Sequence, residues 1–569
     1  MIASTHSSAE RDQVRAVREA GRTSVLIIGA GINGISTFRD LALQGVDVVL
    51  VERGDFASGA SSASSHMIHG GIRYLENGEF RLVRESVQER NGLLKIAPHY
   101  VKPLQTTIPI YSTFSGILAA PMRFLTHRSG TPQERGAFLI KVGLTIYDTF
   151  SRDGGTVPRH RFLGRKKSLA ELPALDPNIK YTATYYDASM HDPERLALDV
   201  LQDGRSAHPG AIALNYVEAF GRDGDTVLLR DRESGTEFAV ASDVIVNTSG
   251  PWTDLTNDAL GELTAFMGGT KGSHIVLDHP ELLDATRGRE IFFEHSDGRI
   301  VLIYPLKGRV LVGTTDIDAD PREIPVCTDE EIDYFFDLIH HVFPQIAVSR
   351  EQIVCNFSGI RPLPRHEDTA PGFVSRDYRI EVDDKGDVPL VSLVGGKWTT
   401  FRALGESLSD VVLSLIGRTR TVSTEGRVIG GGRDFPRTER ARRIWIQENL
   451  PGAGERAADL LARYGTRAAQ VWEYIEQGPD TALAGGDLST RELAWMVHNE
   501  LVVRLEDVIL RRTSLAFTGD ADAEALDEIA GALAPILGWD RDRYDMEIEQ
   551  TRLLLSDRHG VKISSRARG

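Results

Sequence analysis

The chain has 569 residues, enough for several domains and a large buried core. Apolar residues make up 41% and charged residues 26%, which excludes global disorder and collagen-like repeats. With 65 Lys and Arg against 81 Asp and Glu, the formal charge of −16 disfavours nucleic acid as a partner of the surface as a whole.

Residues 1–22 mix acids and bases and lack the apolar stretch of about 7–15 residues of a signal peptide, so they read as a flexible N-terminal tail. No uncharged run of about 18 apolar residues occurs, and no transmembrane helix is expected. Cys327 and Cys355 are the two cysteines. Neither has a metal-ligand spacing around it, so neither a disulfide scaffold nor a metal site is expected, and a reducing cytoplasm fits.

From Ser24 the sequence SVLIIGAGINGISTFRDLALQGVDVVLVE predicts a strand, a glycine turn, a helix and a second strand. The near-continuous apolar runs suit parallel strands buried on both faces, hence a doubly wound α/β sheet. Gly29, Gly31 and Gly34 in GAGING allow a tight turn and a close backbone approach, and the helix start after them favours a pyrophosphate. Glu52 ends the second strand, 18 residues after Gly34, where a carboxylate can accept from ribose hydroxyls. Together these features indicate a dinucleotide site, although both FAD and nicotinamide enzymes use this fingerprint.

The next segment, DFASGASSASSHMIHGGIRYL, is rich in small residues whose hydroxyl and N–H groups can line phosphates and a ring. Between about residues 100 and 420, short β-rich runs alternate with Gly, Pro and Asp turns. After Gly430 to Gly432 the texture turns helical. The expected organisation is a 1–22 tail, a 23–420 region of interleaved cofactor- and substrate-binding segments, a 421–433 linker and a 434–569 helical domain. Within that domain Leu501, Leu505, Val508 and Ile509 fall on one helical face and read as core. His340 and His341 read as structural, and no GxSxG motif points to hydrolysis.

Several motifs follow one another in order: IIGAGINGI, SSASSHMIHGGIRYLENGEFRLVRES, NTSGPW at 247–252, KGSHIV at 271–276, GTTD at 313–316, SGIRPLP at 358–364 and GGKWTTFR at 395–402. Over nearly the whole chain this resembles the FAD-dependent glycerol-3-phosphate dehydrogenases of the aerobic, respiratory type. NELVVRLEDVILRRTSLAF resembles their C-terminal domain. His66 departs from the pattern, where a Lys or another polar residue is expected. The resemblance implies a Rossmann-like FAD-binding domain, a β-rich substrate domain of the glycine and glycerol-phosphate oxidoreductase type, and an all-α C-terminal domain. It also implies oxidation of glycerol 3-phosphate at C2 by hydride transfer to flavin N5, and a quinone acceptor. A homodimer stays open.

A small dianion calls for several cations. The motifs offer Arg73, Tyr74, Lys271, Arg361 and Lys397 as substrate contacts, with His274, Arg361 and Lys397 as the catalytic set. Histidine titrates closest to working pH, so His274 is the candidate for taking the hydroxyl proton. Gly29, Gly31, Gly34, Glu52, Ser61, Ser62, Ser65, His69, Gly70, Gly250, Gly396 and Lys397 are the expected FAD contacts. Residues 114–125, with the basic Arg159, Arg161, Arg165, Lys166 and Lys167 further on, suit peripheral contact with the inner face of the cytoplasmic membrane. Competing readings are a glycerol-3-phosphate oxidase that uses oxygen, a flavin amino-acid oxidase and a non-catalytic flavoprotein.

Overall fold

The computed structural model describes residues 10–71, 80–112, 140–141, 144, 158–294, 300–365, 377–483, 486 and 488–563. Helix α1 (Asp12–Ala20) leads into β1 (Arg22–Ile28), α2 (Ile32–Leu43) and β2 (Val48–Val51). Next come α3 (Phe80–Ile96), β3 (Val101–Ile110), β4 (Tyr181–Met190), α4 (Pro193–Ala207), β5 (Ala211–Leu214) and β6 (Glu237–Asn247). The substrate half adds β7 (Met267–Leu277), β8 (Ile300–Leu306), β9 (Arg309–Gly313), α5 (Asp329–Val342) and β10 (Ile353–Pro364). Strand β11 (Leu390–Val394) and helix α6 (Phe401–Leu415) return the chain to the first sheet, and α7 (Thr490–Glu500) lies in the helical region.

In the first sheet β11, β6, β1, β2 and β5 run parallel in that order. Alternation sends Val25 and Ile27 to one face, against Phe38 of α2, Val200 of α4 and Leu408 of α6. Leu26 and Ile28 point to the other face, where Val14 and Val17 of α1 cover them. Residues 12–20 are therefore no loose tail. Two buried valines dock this helix, and the Arg11 guanidinium before it donates to Asn215 and Asp231. Its polar composition hid a one-sided apolar stripe.

The second sheet is largely antiparallel, and near one end of it β7 lies between β9 and β10. One face carries Ile275, Val301, Ile303 and Val312 and packs on Ile332, Phe335 and Ile339 of α5. The opposite face carries Val276, Tyr304, Leu311 and Phe357, which share a core with Leu505, Ile509, Leu515 and Leu533. The helical region is thus fused to the sheet. The expected 421–433 linker is likewise fastened: the Gln44 amide bonds the backbones of Thr421 and Val422. A Cβ placed on Gly431 would lie 1.9 Å from the Tyr464 carbonyl oxygen.

The expected helical face through Leu501 is interrupted. Leu501 takes a left-handed conformation (φ 57°) that ends α7, and the Asp507 carboxylate accepts the N–H groups of Val503 and Arg504 at 2.9 Å, starting a new helical turn. Leu505, Val508 and Ile509 remain core.

The two parts are joined by charge as well. Asp55, fully buried, accepts from Arg511 Nε at 2.6 Å, from Arg512 Nη1 and Nη2 at 2.6 and 3.0 Å, and from Asn215 Nδ2 at 2.9 Å. Burial alone would raise its pKa, but the charges of Arg512 and Arg511 outweigh this and hold it well below the usual carboxylate range. Asp55→Asn leaves two buried guanidinium groups short of a counter-charge. It is expected to lower unfolding free energy by about 3 kcal/mol or more in denaturant titrations; an unchanged midpoint would refute the role given to the pair.

Glu290 is a second buried carboxyl. Among the described residues it accepts only the Thr106 hydroxyl, at 2.6 Å, and its other oxygen has no partner; burial pushes its pKa up to about 8. A raised folded pKa gives stability that is complete below the unfolded value of about 4.3 and is lost as pH rises to about 8. Glu290→Gln should flatten that decline, which is worth up to about 1.4 kcal/mol per pH unit. Thermal unfolding of both proteins between pH 5 and 9 tests this, and parallel curves would count against it.

Candidate active site

The cofactor cradle follows from three glycines. Gly29 (φ 102°) ends β1 so close to the β6 turn that a Cβ would lie 2.8 Å from the Ser249 backbone. Gly34 lets α2 lean on that turn, since a Cβ there would fall 2.0 Å from the Gly29 oxygen. Gly31 caps α2, whose N-terminus carries a partial positive charge. At the end of β2, the Glu52 oxygens accept the N–H groups of Ala30 and Gly54 at 2.9 Å. Burial raises the pKa of Glu52, while those two donors pull it back.

Gly29, Gly31, Glu52 and Gly54 line a cavity of about 750 Å³, within the range of about 300–1,000 Å³ common for ligand sites. Thr248, Gly250 and Trp252 form another wall. Asn33 Oδ1 is buried with no partner, while its Nδ2 lies where a Cβ of Gly396 would stand, 2.4 Å away. An orphaned amide, a glycine-lined helix start and a ribose-side carboxylate fit a dinucleotide.

The loop after Glu52 connects this cradle to the second sheet. Ser61 Oγ accepts the Ile32 N–H at 3.0 Å, and Ala63 sits against Gly359, where a Cβ would be 2.4 Å from its own. Ser65 Oγ is 2.8 Å from His274 Nε2. On the sheet beneath, Thr270, Gly272 and His274 of β7 stand opposite Arg361, Gly359 and Phe357 of β10, all on one face. The space left by Gly272 holds the Arg361 guanidinium, and that left by Gly313 holds the His274 ring. Asp316, Thr314 and the Thr315 carbonyl fix Arg361 at 2.8 Å each.

The His274 ring stacks on Phe357 with centroids 4.9 Å apart, and its Nδ1 is buried with no partner. Burial, and after it the Arg361 charge, hold its pKa well below the ordinary histidine value. A neutral imidazole whose ring nitrogen has no partner among the described residues is chemically able to accept a proton.

The expected residues have varied fates. Lys271 departs from the expectation: it lies one residue out of phase with His274, on the opposite face. There its ammonium bonds Glu331 at 2.8 Å and the Val326 carbonyl at 2.7 Å, and Ser273 bonds the same carboxylate. Lys397 donates to Ser86 of α3 at 2.6 Å. Ser62 turns its hydroxyl onto its own loop, and the Gly70 N–H donates to Asp187. His69 offers its carbonyl to Thr399. Arg73 and Tyr74 lie outside the described residues. His66 is buried at φ 53°, its Nδ1 on the Met190 carbonyl, and burial brings its pKa to about 4, so this departure from the motif places no charge in the wall.

Asn33, Trp252 and Phe357 had no local signal beyond their motifs. The Ser65–His274 contact spans 209 residues of sequence.

A glycine-lined dinucleotide cradle, joined by the 61–65 loop to a sheet face that bears a fixed guanidinium and a buried histidine, fits an oxidoreductase. Residues 24–408 match the FAD dependent oxidoreductase family, and residues 422–544 match the C-terminal domain of alpha-glycerophosphate oxidase. The chain is 34% identical to the glycerol-3-phosphate dehydrogenase of Synechocystis sp., covering 92% of this chain and 95% of that one. It is 32% identical to the D-erythritol 1-phosphate dehydrogenase of Brucella abortus, covering 86% and 93%. Among solved structures, the glycerol-3-phosphate dehydrogenase of Bacillus halodurans complexed with FAD shares the fold, with a TM-score of 0.72 at 22% identity over 95% of this chain and 96% of that one.

The chain belongs to the FAD-dependent glycerol-3-phosphate dehydrogenase family, and its cofactor is FAD. The expected fold class, family and cofactor are borne out. Glu52→Gln puts an amide N–H against a backbone donor. It is expected to weaken FAD binding about 10- to 100-fold, the cost of one or two hydrogen bonds. Reconstitution of the apoprotein with FAD measures this, and undiminished affinity would remove Glu52 from the site.

Proposed function

We propose that the protein oxidises sn-glycerol 3-phosphate at C2 to dihydroxyacetone phosphate and passes the electrons to a quinone at the cytoplasmic membrane. The observation that carries this reading is the pair formed by the fixed Arg361 guanidinium and the partnerless His274 Nδ1, on the sheet face that the 61–65 loop joins to the FAD cradle.

Gly29, Gly31, Asn33, Glu52, Thr248 and Gly250 hold the FAD, which when bound supplies the two-electron acceptor for the hydrogen leaving C2. Arg361 offers its fixed charge to the phosphate, and Lys397 adds a compact charge from the neighbouring loop, where a Cβ placed on Gly395 would lie 3.8 Å from the Pro362 carbonyl oxygen. Arg73 and Tyr74 complete the anion site as the motif resemblance implies. His274, unprotonated at working pH, takes the C2 hydroxyl proton on Nδ1.

The quinone half rests on the family resemblance and on an exposed basic cluster at Arg159, Arg165, Lys166 and Lys167, suited to anionic headgroups. Arg161 of the same cluster is paired with Glu171. The apolar 114–125 segment lies outside the described residues. Among the described residues no helix is long and apolar enough to cross a membrane. The match to an oxidase C-terminal domain makes oxygen the competing acceptor.

Anaerobic glycerol 3-phosphate should bleach the bound flavin, and a soluble quinone analogue should restore the colour faster than air. Rapid recovery in air with peroxide release would favour the oxidase, and absence of bleaching by any phosphorylated polyol would end the reading. D-Erythritol 1-phosphate belongs in the same titration because of the relative that bears its name. Arg361→Met should keep its flavin and weaken substrate binding by about 1.5–3 kcal/mol, the worth of hydrogen bonds to a charged group. Unchanged binding would exclude Arg361.

A further inference from the structure

We infer that Ser65 is a positioning residue for the reaction: its hydroxyl oxygen accepts the Nε2–H of His274 and so leaves Nδ1 as the bare nitrogen that takes the substrate proton. The inference rests on the role given to His274 above and adds the group that makes that role possible.

A neutral imidazole carries one proton on one of two nitrogens, and a base needs the bare nitrogen to face the substrate. His274 is 2% exposed, so water does not choose the tautomer. Among the described residues its Nε2 has a single partner, the Ser65 hydroxyl at 2.8 Å, and its Nδ1 has none. Were Ser65 the donor, the proton would sit on Nδ1, and that nitrogen could only donate to the substrate hydroxyl. The opposite polarity gives a base on Nδ1 and, once the proton has arrived, a neutral acceptor for the remaining N–H of the imidazolium. The proton moves from the C2 hydroxyl to Nδ1, and the Nε2 proton stays where it is.

Ser65 is itself held. The buried phenol of Tyr304 donates to the carbonyls of Ser65 and His66 at 3.1 and 3.2 Å, and His66 is tied to Met190. The ring is held on its other sides by Phe357 and by the space above Gly313. The charged and titratable groups around it are Arg361, neutralised in part by Asp316, and His66. No carboxylate reaches Nε2 among the described residues, so Ser65 performs the orienting task that carboxylates perform elsewhere.

The test compares Ser65→Ala and Ser65→Thr with the wild-type holoenzyme. Without substrate, ring ¹⁵N spectra of labelled histidine should show His274 protonated on Nε2 in the wild type and in Ser65→Thr, and shifted from that state in Ser65→Ala. At saturating glycerol 3-phosphate, Ser65→Ala should reduce its flavin about tenfold or more slowly. Its acidic limb should move to lower pH, because the imidazolium has lost its acceptor. The substrate dissociation constant should change less than about threefold, and Ser65→Thr should restore the rate.

A wild-type tautomer or a wild-type pH profile in Ser65→Ala would overturn the inference, as would loss of flavin with no change in the profile of the molecules that retain it. Failure of the wild type to be reduced by any phosphorylated polyol would overturn the substrate reading instead. The ring spectra, recorded without substrate, would still decide the hydrogen bond.

Discussion

Asp55 carries a full charge with no exposure, and it is the point from which both halves of the molecule are held. It follows Glu52 by three residues, so it belongs to the cofactor loop, while Arg511 and Arg512 come from the last third of the chain. Taking three charges out of water is costly, and Coulomb attraction offsets that cost only where the remaining donors are also satisfied. Here most are: Asn215 gives Asp55 a fourth hydrogen bond, Asp507 accepts from Arg511, and the Glu500 carbonyl accepts from Arg512, while the buried Arg512 Nε has no hydrogen-bond partner among the described residues. Such a node tolerates little displacement, which defines where the loop bearing Ser61, Ala63 and Ser65 starts. The helical region thereby acts on the site, and its Arg511 and Ser514 are among the residues that line the cavity.

The second constraint is the strand alternation of the substrate sheet. A two-residue period gives His274 and Lys271 opposite faces whatever their chemistry. One face needs room for a guanidinium and an imidazole, and it finds that room at Gly272 and Gly313. The other face is packed by α5, whose Glu331 gathers Lys271, Ser273 and Thr315 on one carboxylate. The cation that looked like part of the phosphate site instead pins α5 to the sheet.

What could be read from the sequence follows from the range of each interaction. The cradle is local: strand, glycine turn, helix and Glu52 lie within about thirty residues, and their spacing carries the geometry. The phase of β7 was not readable, because KGSHIV contains a polar residue on each face and only Glu331, 60 residues away, shows which side Lys271 serves. The α1 helix went unseen for the same kind of reason. Its two valines are too few to mark an amphipathic face until the sheet that they cover is known. The break at Leu501 depends on a left-handed residue that is not glycine, which no propensity signals. Ser65 was legible as a polar loop residue near a cofactor, yet its partner lies across the fold.

On the proposed reading, the net charge of −16 and an anionic substrate are reconciled by where the cations lie, and His274 is the base. Long-range repulsion is screened over about 8 Å at physiological salt, so only the charges inside the site count once the substrate has arrived. Arg361 then has two effects of opposite sense. Before binding, its positive charge adds to burial in keeping His274 neutral, which preserves the base. A bound phosphate dianion cancels that field and favours the imidazolium, so the same nitrogen becomes a better proton acceptor when the proper ligand is present. A neutral polyol of similar shape brings no such charge. On this argument the phosphate contributes to the proton-transfer step as well as to binding, and discrimination against unphosphorylated substrates should fall on the rate of flavin reduction as much as on affinity.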